Sequence, residues 1–218
     1  MNSAVLWTGG KDSALALHRC AGSGVTALIT FVPPDAQFQA HDLELMAWQA
    51  RALGLPHRRI VVGFPYQEGY ERALSELLAS GIERVVTGDI ARVDGQPNFI
   101  SACAERVGMR VALPLWGVDR REHMHEIVAL GFDVVLTFVR EPWLDAAWVG
   151  RHLDEQALAE LDDLRRLNGL DLAGENGEYH SMVLGGPGWH SALDVGGRTL
   201  SAPPQHRLEI ASIATRAV

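Results

Sequence analysis

Apolar and polar positions follow two periods along the first 140 residues. Short apolar runs at 3–7, 25–32, 59–62, 84–87, 110–113 and 132–139 have the length of strands. Between them, apolar residues recur three and four apart at 13–21, 41–53, 66–79, 99–107 and 120–130, which predicts helices. Asp12 or Ser13 is the expected N-cap of the first. Pro33-Pro34, Gly81, Gly88 and Pro114 close individual elements. Strands alternating with helices of this length predict βαβ units, and so a parallel sheet with helices on both faces. Right-handed crossovers would bring Trp7, Val32 and Thr87, at the ends of their strands, to one rim where such sheets bind ligands.

After about Arg140 the rhythm changes. A polar helix at 154–168 precedes segments with hairpin character at 170–184, 192–195, 198–201 and 207–214, with Gly196-Gly197 expected as a tight turn. This predicts a first domain at 1–139 and a smaller α+β part at 140–218.

Composition narrows the function. The chain has 218 residues, 47% of them hydrophobic, enough for one generous domain or one domain with a small appendage. Its formal charge of −8 argues against a general nucleic-acid or membrane-surface binder. Cys20 and Cys103 form no CxxC pair and read as buried, reduced thiols. No basic leader precedes the first apolar run, and no run is long enough to cross a bilayer, so a cytoplasmic location is expected. Of 19 basic residues only Lys11 is a lysine, which suggests a place where a compact ammonium fits and a guanidinium fork does not.

Lys11 lies in "TGGKDS" at 8–13, a strand–loop–helix junction. Gly9 and Gly10 let backbone N–H groups approach a phosphate, and the helix N-terminus adds further donors. Thr8 and Ser13 supply hydroxyls and Lys11 a charge. Asp12 repels phosphate and needs a reason, such as a helix cap, a lysine to orient, or a Mg²⁺ shared with a nucleotide. Neither the Walker A spacing nor a G-x-G-x-x-G fingerprint is present.

A second segment, "GENGEYH" at 174–180, supports two readings. Asn176-Gly177 is a type I′ hairpin signal between apolar runs at 170–173 and 179–184. A hairpin would set Glu175 opposite Glu178, and facing like charges are destabilising. The pair makes better sense around a cation, or if one carboxylate is a base.

"TGGKDS" resembles the pyrophosphate loop of the N-type ATP pyrophosphatases, within the adenine nucleotide alpha hydrolase-like superfamily, with Thr8 in place of the usual serine. With "GDI" at 88–90, "LPLW" at 113–116 and "GENGEYH", the order is similar to that of the diphthine–ammonia ligase (diphthamide synthase) family over roughly residues 4–187. Ser181 stands where that family commonly has threonine. The resemblance implies a Rossmann-like, HUP-type ATP-binding domain at 1–139 and a substrate-recognition part at 140–218. It implies an enzyme that adenylates a carboxylate with ATP and Mg²⁺, releases pyrophosphate, and lets ammonia displace AMP. ATP binding then falls to Thr8, Gly9, Gly10, Lys11, Asp12, Ser13, Gly88 and Asp89, with Asp12 as the candidate Mg²⁺ ligand. Substrate binding falls to Glu175, Gly177, Glu178, Tyr179 and His180, and catalysis to Lys11, Asp12, Glu175 and Glu178.

The family's acceptor is diphthine, a modified histidine of an archaeal and eukaryotic elongation factor. In a bacterium another carboxylate would take its place. No glutaminase segment is visible, so free ammonia or a partner is the expected source, and a second copy of the chain is a candidate partner. Trp143, Trp148 and Trp189 could wall a site for a quaternary ammonium, although core packing is expected of at least two of them. Two other classes are set against this reading. A tRNA-modifying ATP pyrophosphatase would generally need a cysteine pair or cluster and a basic surface. A non-catalytic adenine-nucleotide sensor would not need the paired glutamates.

Overall fold

The computed structural model describes residues 1–35, 41–92 and 95–217. Its first five strands are β1 (Ser3–Leu6), β2 (Val25–Val32), β3 (His57–Val61), β4 (Arg84–Val86) and β5 (Arg110–Ala112). They pair in parallel in the order β3-β2-β1-β4-β5. In sequence between them run α1 (Lys11–Arg19), α2 (Leu43–Leu53), α3 (Tyr66–Ala79) and α4 (Phe99–Val107). Alternate residues of β1 and β2, Ala4 with Leu6 and Ala27 with Ile29, pack against Leu74 and Leu77 of α3 and Cys103 and Ala104 of α4. Each fully buried leucine or isoleucine there contributes about 1.5–3 kcal/mol. Strand order switches direction beside β1, so the segments following β1 and β4 open at the place where such sheets bind ligands.

The remaining elements are α5 (Arg120–Ala129), β6 (Asp133–Arg140), α6 (Glu155–Asn168), β7 (Tyr179–Gly185), β8 (Ala192–Ala202) and β9 (Gln205–Arg216). The four strands form an antiparallel sheet in the order β7-β6-β9-β8. No helix among the described residues is long and apolar enough to cross a membrane.

The chain divides into two compact units. One comprises Met1–Thr8, Asp12–Phe38 and Leu55–Gly117, and the other Gly9–Lys11, Gln39–Gly54 and Val118–Val218. The sequence placed the boundary after residue 139 because the 132–139 run has a buried strand's composition. Composition does not reveal a strand's partner, and β6 pairs antiparallel with β7 and β9 in the second unit.

Three local expectations change as well. The helix α1 begins at Lys11, so Asp12 stands in its first turn and is not its cap. Gly196-Gly197 lies inside β8 where the register shifts, and the chain turns at 203–204 instead. A Cβ at Gly197 would come within 2.2 Å of Glu209 O, so that glycine serves close strand approach. Residues 170–173 form no strand, and with them the hairpin reading of 170–184 falls.

One ion pair ties the segment before α6 to β6. His152 bridges to Val135, and its Nδ1 lies 2.6 Å from Asp133 Oδ1. Hydrogen bonding to Asp133 holds the His152 imidazole above its ordinary value of 6.5. The same bond, with Arg216 adding to it, holds Asp133 below its ordinary 3.8. The histidine's contribution is full below 6.5 and is lost as pH rises through its raised folded value. The aspartate's is full above 3.8 and is lost as pH falls through its lowered folded value. The stability gap between the protein and His152→Asn should therefore be widest between about pH 4 and 6.5 and close on both sides. Thermal melting of both proteins across pH checks this, and a pH-independent gap would contradict it.

Candidate functional site

The segment after β1 is shared by the two units: Thr8, Asp12 and Ser13 fall in the first, and Gly9, Gly10 and Lys11 in the second. In the first unit, Thr8 Oγ1 and Ser13 Oγ lie 3.2 Å apart. Gly88 presses on the start of α1, where a Cβ would meet the Asp12 carbonyl carbon at 2.7 Å and Ser13 N at 2.8 Å. That approach permits only glycine, so Gly88 shapes the loop by its lack of a side chain. Asp89 is committed to its own turn, with Oδ2 accepting from Thr87 Oγ1 at 2.9 Å and Asn98 Nδ2 at 2.5 Å.

In the second unit, Gly9–Lys11 runs along β7. Val183 N donates to Gly9 O at 2.9 Å, and Lys11 N approaches Ser181 Oγ at 3.4 Å. Gly9 has φ +75°, and a Cβ there would strike Gln49 and Met182 at 2.6 Å. The Gln49 amide, fully buried, donates to Gly9 O at 2.9 Å and Val183 O at 2.8 Å. Sequence reasoning passed over this residue. Its signal was a polar side chain on the apolar stripe of α2, four residues after Leu45 and three after Met46.

The Lys11 side chain is only 4% exposed. Its Nζ donates to Ala173 O at 2.6 Å and stands 5.4 Å from the centre of the Tyr179 ring. Tyr179 OH in turn donates to Leu172 O at 2.7 Å. The only lysine of the chain is thus built into the segment that leads to "GENGEYH". Gly9–Lys11 of the first motif and the second motif, about 160 residues apart in sequence, meet within the second unit.

The two glutamates of the turn differ completely. Glu175 is exposed. Glu178 is fully buried, and its carboxylate is bound by its own loop. Oε1 accepts from Asp171 N at 2.9 Å and Asn176 Nδ2 at 3.1 Å, while Oε2 accepts from Asn176 N at 2.9 Å. Both oxygens therefore hold backbone in place, and neither is positioned as a base toward solvent. Asp171 extends the arrangement, accepting from Ala173 N at 2.8 Å and pairing with Arg120 at 3.3 Å.

His180 is packed between the rings of His41 at 5.3 Å and Phe138 at 5.1 Å. Burial lowers its pKa, and the charges of Lys11 and Arg140 lower it further, so it is neutral at pH 7. Gly177 faces the Arg140 guanidinium, with Nη2 3.9 Å from where a Cβ would sit. Of the tryptophans considered as a wall, Trp148 and Trp189 are buried, as expected of core residues, and Trp143 is half-buried. Cys20 and Cys103 are free, buried thiols.

Among the described residues no three His, Cys, Asp or Glu side chains converge as a metal cage. A Mg²⁺ carried by nucleotide phosphates needs only one or two protein carboxylates. Asp12, half-buried in the first turn of α1, fits that requirement.

Comparison with known proteins shows the family. The diphthamide synthase N-terminal domain model matches residues 1–111, and the diphthamide synthase C-terminal domain model matches residues 119–202. The chain belongs to the diphthamide synthase family. The first match contains residues 8–13 and 88–89, and the second contains 174–180. A diphthine–ammonia ligase of Rattus norvegicus is 28% identical over 218 residues, covering 86% of this chain and 80% of the relative. A crystal structure described as a predicted subunit of tRNA methyltransferase from Methanocaldococcus jannaschii DSM aligns with 17% identity and a TM-score of 0.47, over 86% of this chain and 98% of that one.

Proposed function

We propose that this family member is an ATP-dependent amide ligase that adenylates a carboxylate and transfers ammonia to it. The observation that carries the reading is the placement of Lys11 in the segment leading to the 174–180 turn. A phosphate-gripping loop and a substrate-side turn built as one structure suit an enzyme that must hold ATP against an acceptor. The name of the rat relative supports diphthine and ammonia as the substrates.

In the first step a carboxylate oxygen of the acceptor attacks the α-phosphorus, and the bond to the β-phosphate oxygen breaks. Pyrophosphate leaves and an acyl adenylate remains. In the second step ammonia attacks the acyl carbon, the bond to AMP breaks, and nitrogen gives up a proton. Gly9, Gly10 and the first turn of α1 supply backbone N–H groups to the phosphates, and Lys11, Thr8 and Ser13 supply side-chain donors. Mg²⁺ on the phosphates would neutralise the leaving group, with Asp12 as its ligand. Glu175, the exposed carboxylate of the turn, would attract ammonium and take its proton. Glu178 fixes the turn that presents it. In the first unit Gly88 shapes the start of α1 by close approach and Asp89 ties its own turn, while in the second Tyr179 and His180 back the turn.

Incubation with ATP, Mg²⁺, ammonium and a diphthine-bearing peptide should yield AMP and pyrophosphate in equal amounts, together with the acceptor amide. Anion-exchange chromatography of the nucleotides decides the bond. ADP and inorganic phosphate would overturn the proposal. AMP formed only with a different carboxylate would retain the reaction and replace the acceptor.

A further inference from the structure

An arginine side chain carries five N–H donors in a planar fork, and a native structure rarely leaves a buried one without an acceptor. Arg140, the last residue of β6, is an exception. Its main-chain N–H donates to Glu178 O at 2.9 Å, which fixes the residue to the 174–180 turn. Its guanidinium lies over the Trp143 ring at 4.8 Å, and Nη2 reaches Asn176 O at 3.3 Å. Nε is buried and has no hydrogen-bond acceptor among the described residues.

The surroundings differ from those of five other arginines in this unit. Arg151 is matched by Glu160, Arg120 by Asp171, and Arg121, Arg165 and Arg166 by Asp162. Among the described residues Arg140 makes no such ion pair. Glu178, whose main-chain oxygen accepts from Arg140 N, directs both carboxylate oxygens to N–H groups of its own loop. Asn168 Nδ2 donates to the Trp143 carbonyl at 3.1 Å, which holds the main chain of the residue beneath the guanidinium. Lys11 and Arg140 both lower the pKa of half-buried His180, so two cations act on one neutral ring in a chain of net charge −8.

We propose that Arg140, propped on Trp143, binds an oxyanion at the 174–180 turn, through the edge that carries Nε and Nη2. Those two donors are parallel and match the two oxygens of a carboxylate. The contact of Nη2 with a neutral carbonyl at 3.3 Å is weak and easily exchanged for a charged acceptor. The acceptor's carboxylate is the oxyanion this edge fits best. That assignment rests on the amide-ligase reading, and a phosphate group is the other source of the same chemistry.

The test reads Nε directly. Full-length protein labelled with ¹⁵N-arginine is titrated with acetate in one arm and inorganic pyrophosphate in the other, following the Arg140 Nε–H resonance. That resonance is assigned by its absence from Arg140→Lys and, independently, from Arg140→Gln. A saturable shift with acetate identifies a carboxylate site, and one with pyrophosphate alone identifies a phosphate site. Either supports the proposal. Affinity for the active probe should fall at least about tenfold in Arg140→Gln, as expected for losing a charge-assisted pair. Trp143→Leu, which keeps the guanidinium and removes its platform, should weaken it as well. No saturable shift with either anion overturns the proposal. The outcome is independent of turnover, so release of ADP in the ligase assay would reject the amide-ligase reading and leave this binding result standing.

Discussion

Replacing Lys11 with methionine should weaken ATP binding by about 1.5–3 kcal/mol, or roughly ten- to 150-fold, the usual loss for a charge-assisted contact. Adenylation should fall at least as far. Methionine keeps most of the stem's volume in a position only 4% exposed, so packing changes little. What disappears is the ammonium, and with it the hydrogen bond to Ala173 O and the contact with Tyr179. These local contacts create a competing account, in which Lys11 is only a strut of the turn. A strut predicts a lower melting temperature with unchanged ATP affinity, and a phosphate ligand predicts the reverse. Calorimetric titration with ATP and a thermal melt of the same sample separate them. Lys11→Arg should not restore ATP affinity, because a buried ammonium site lacks the width for a guanidinium. The other basic positions of this chain are all arginine, so the composition already isolates this one.

The parallel sheet was legible because it is local in origin. Each βα unit carries its own apolar period, and the short connections leave few topologies. The 8–13 segment was legible as a candidate for the same reason, since six consecutive residues carry the motif. What sequence could not supply was pairing between distant segments. The run that became β6 is apolar enough for either sheet, and only its partners β7 and β9 decide. Gln49 is one amide in an ordinary helix until Gly9 O and Val183 O are found at its two sides. Arg140 carried no signal at all, because an arginine at a strand end is common and its significance lies in the acceptor it lacks. The 174–180 turn was misread in form for a related reason. Asn-Gly is a strong hairpin signal when two strands flank it, and here Leu170, Leu172 and Ala173 are buried in a turn without becoming a strand.

That misreading reverses the expected effect of Glu178→Gln. In a hairpin, removing one of two facing charges would stabilise the protein. In the observed turn, Oε1 and Oε2 each receive a backbone N–H, from Asp171 and Asn176 respectively. A glutamine must place its NH₂ on one side or the other, where donor meets donor. One charge-assisted hydrogen bond is lost and one buried N–H is left without an acceptor, at a cost of about 2–3 kcal/mol. For a chain of this size that corresponds to a melting temperature lower by roughly 4–12 °C. The Asp171 N–H and the Asn176 N–H anchor the two ends of the segment that contains Ala173, the acceptor of Lys11, so loosening the turn also displaces the lysine. Amidation should then fall together with stability, and ATP affinity should fall with it. A general base would behave differently, with lost amidation, intact ATP binding and an unchanged melt. The three quantities measured on one variant distinguish a clamp from a base, and a Glu178→Gln protein that melts like the parent would remove the clamp.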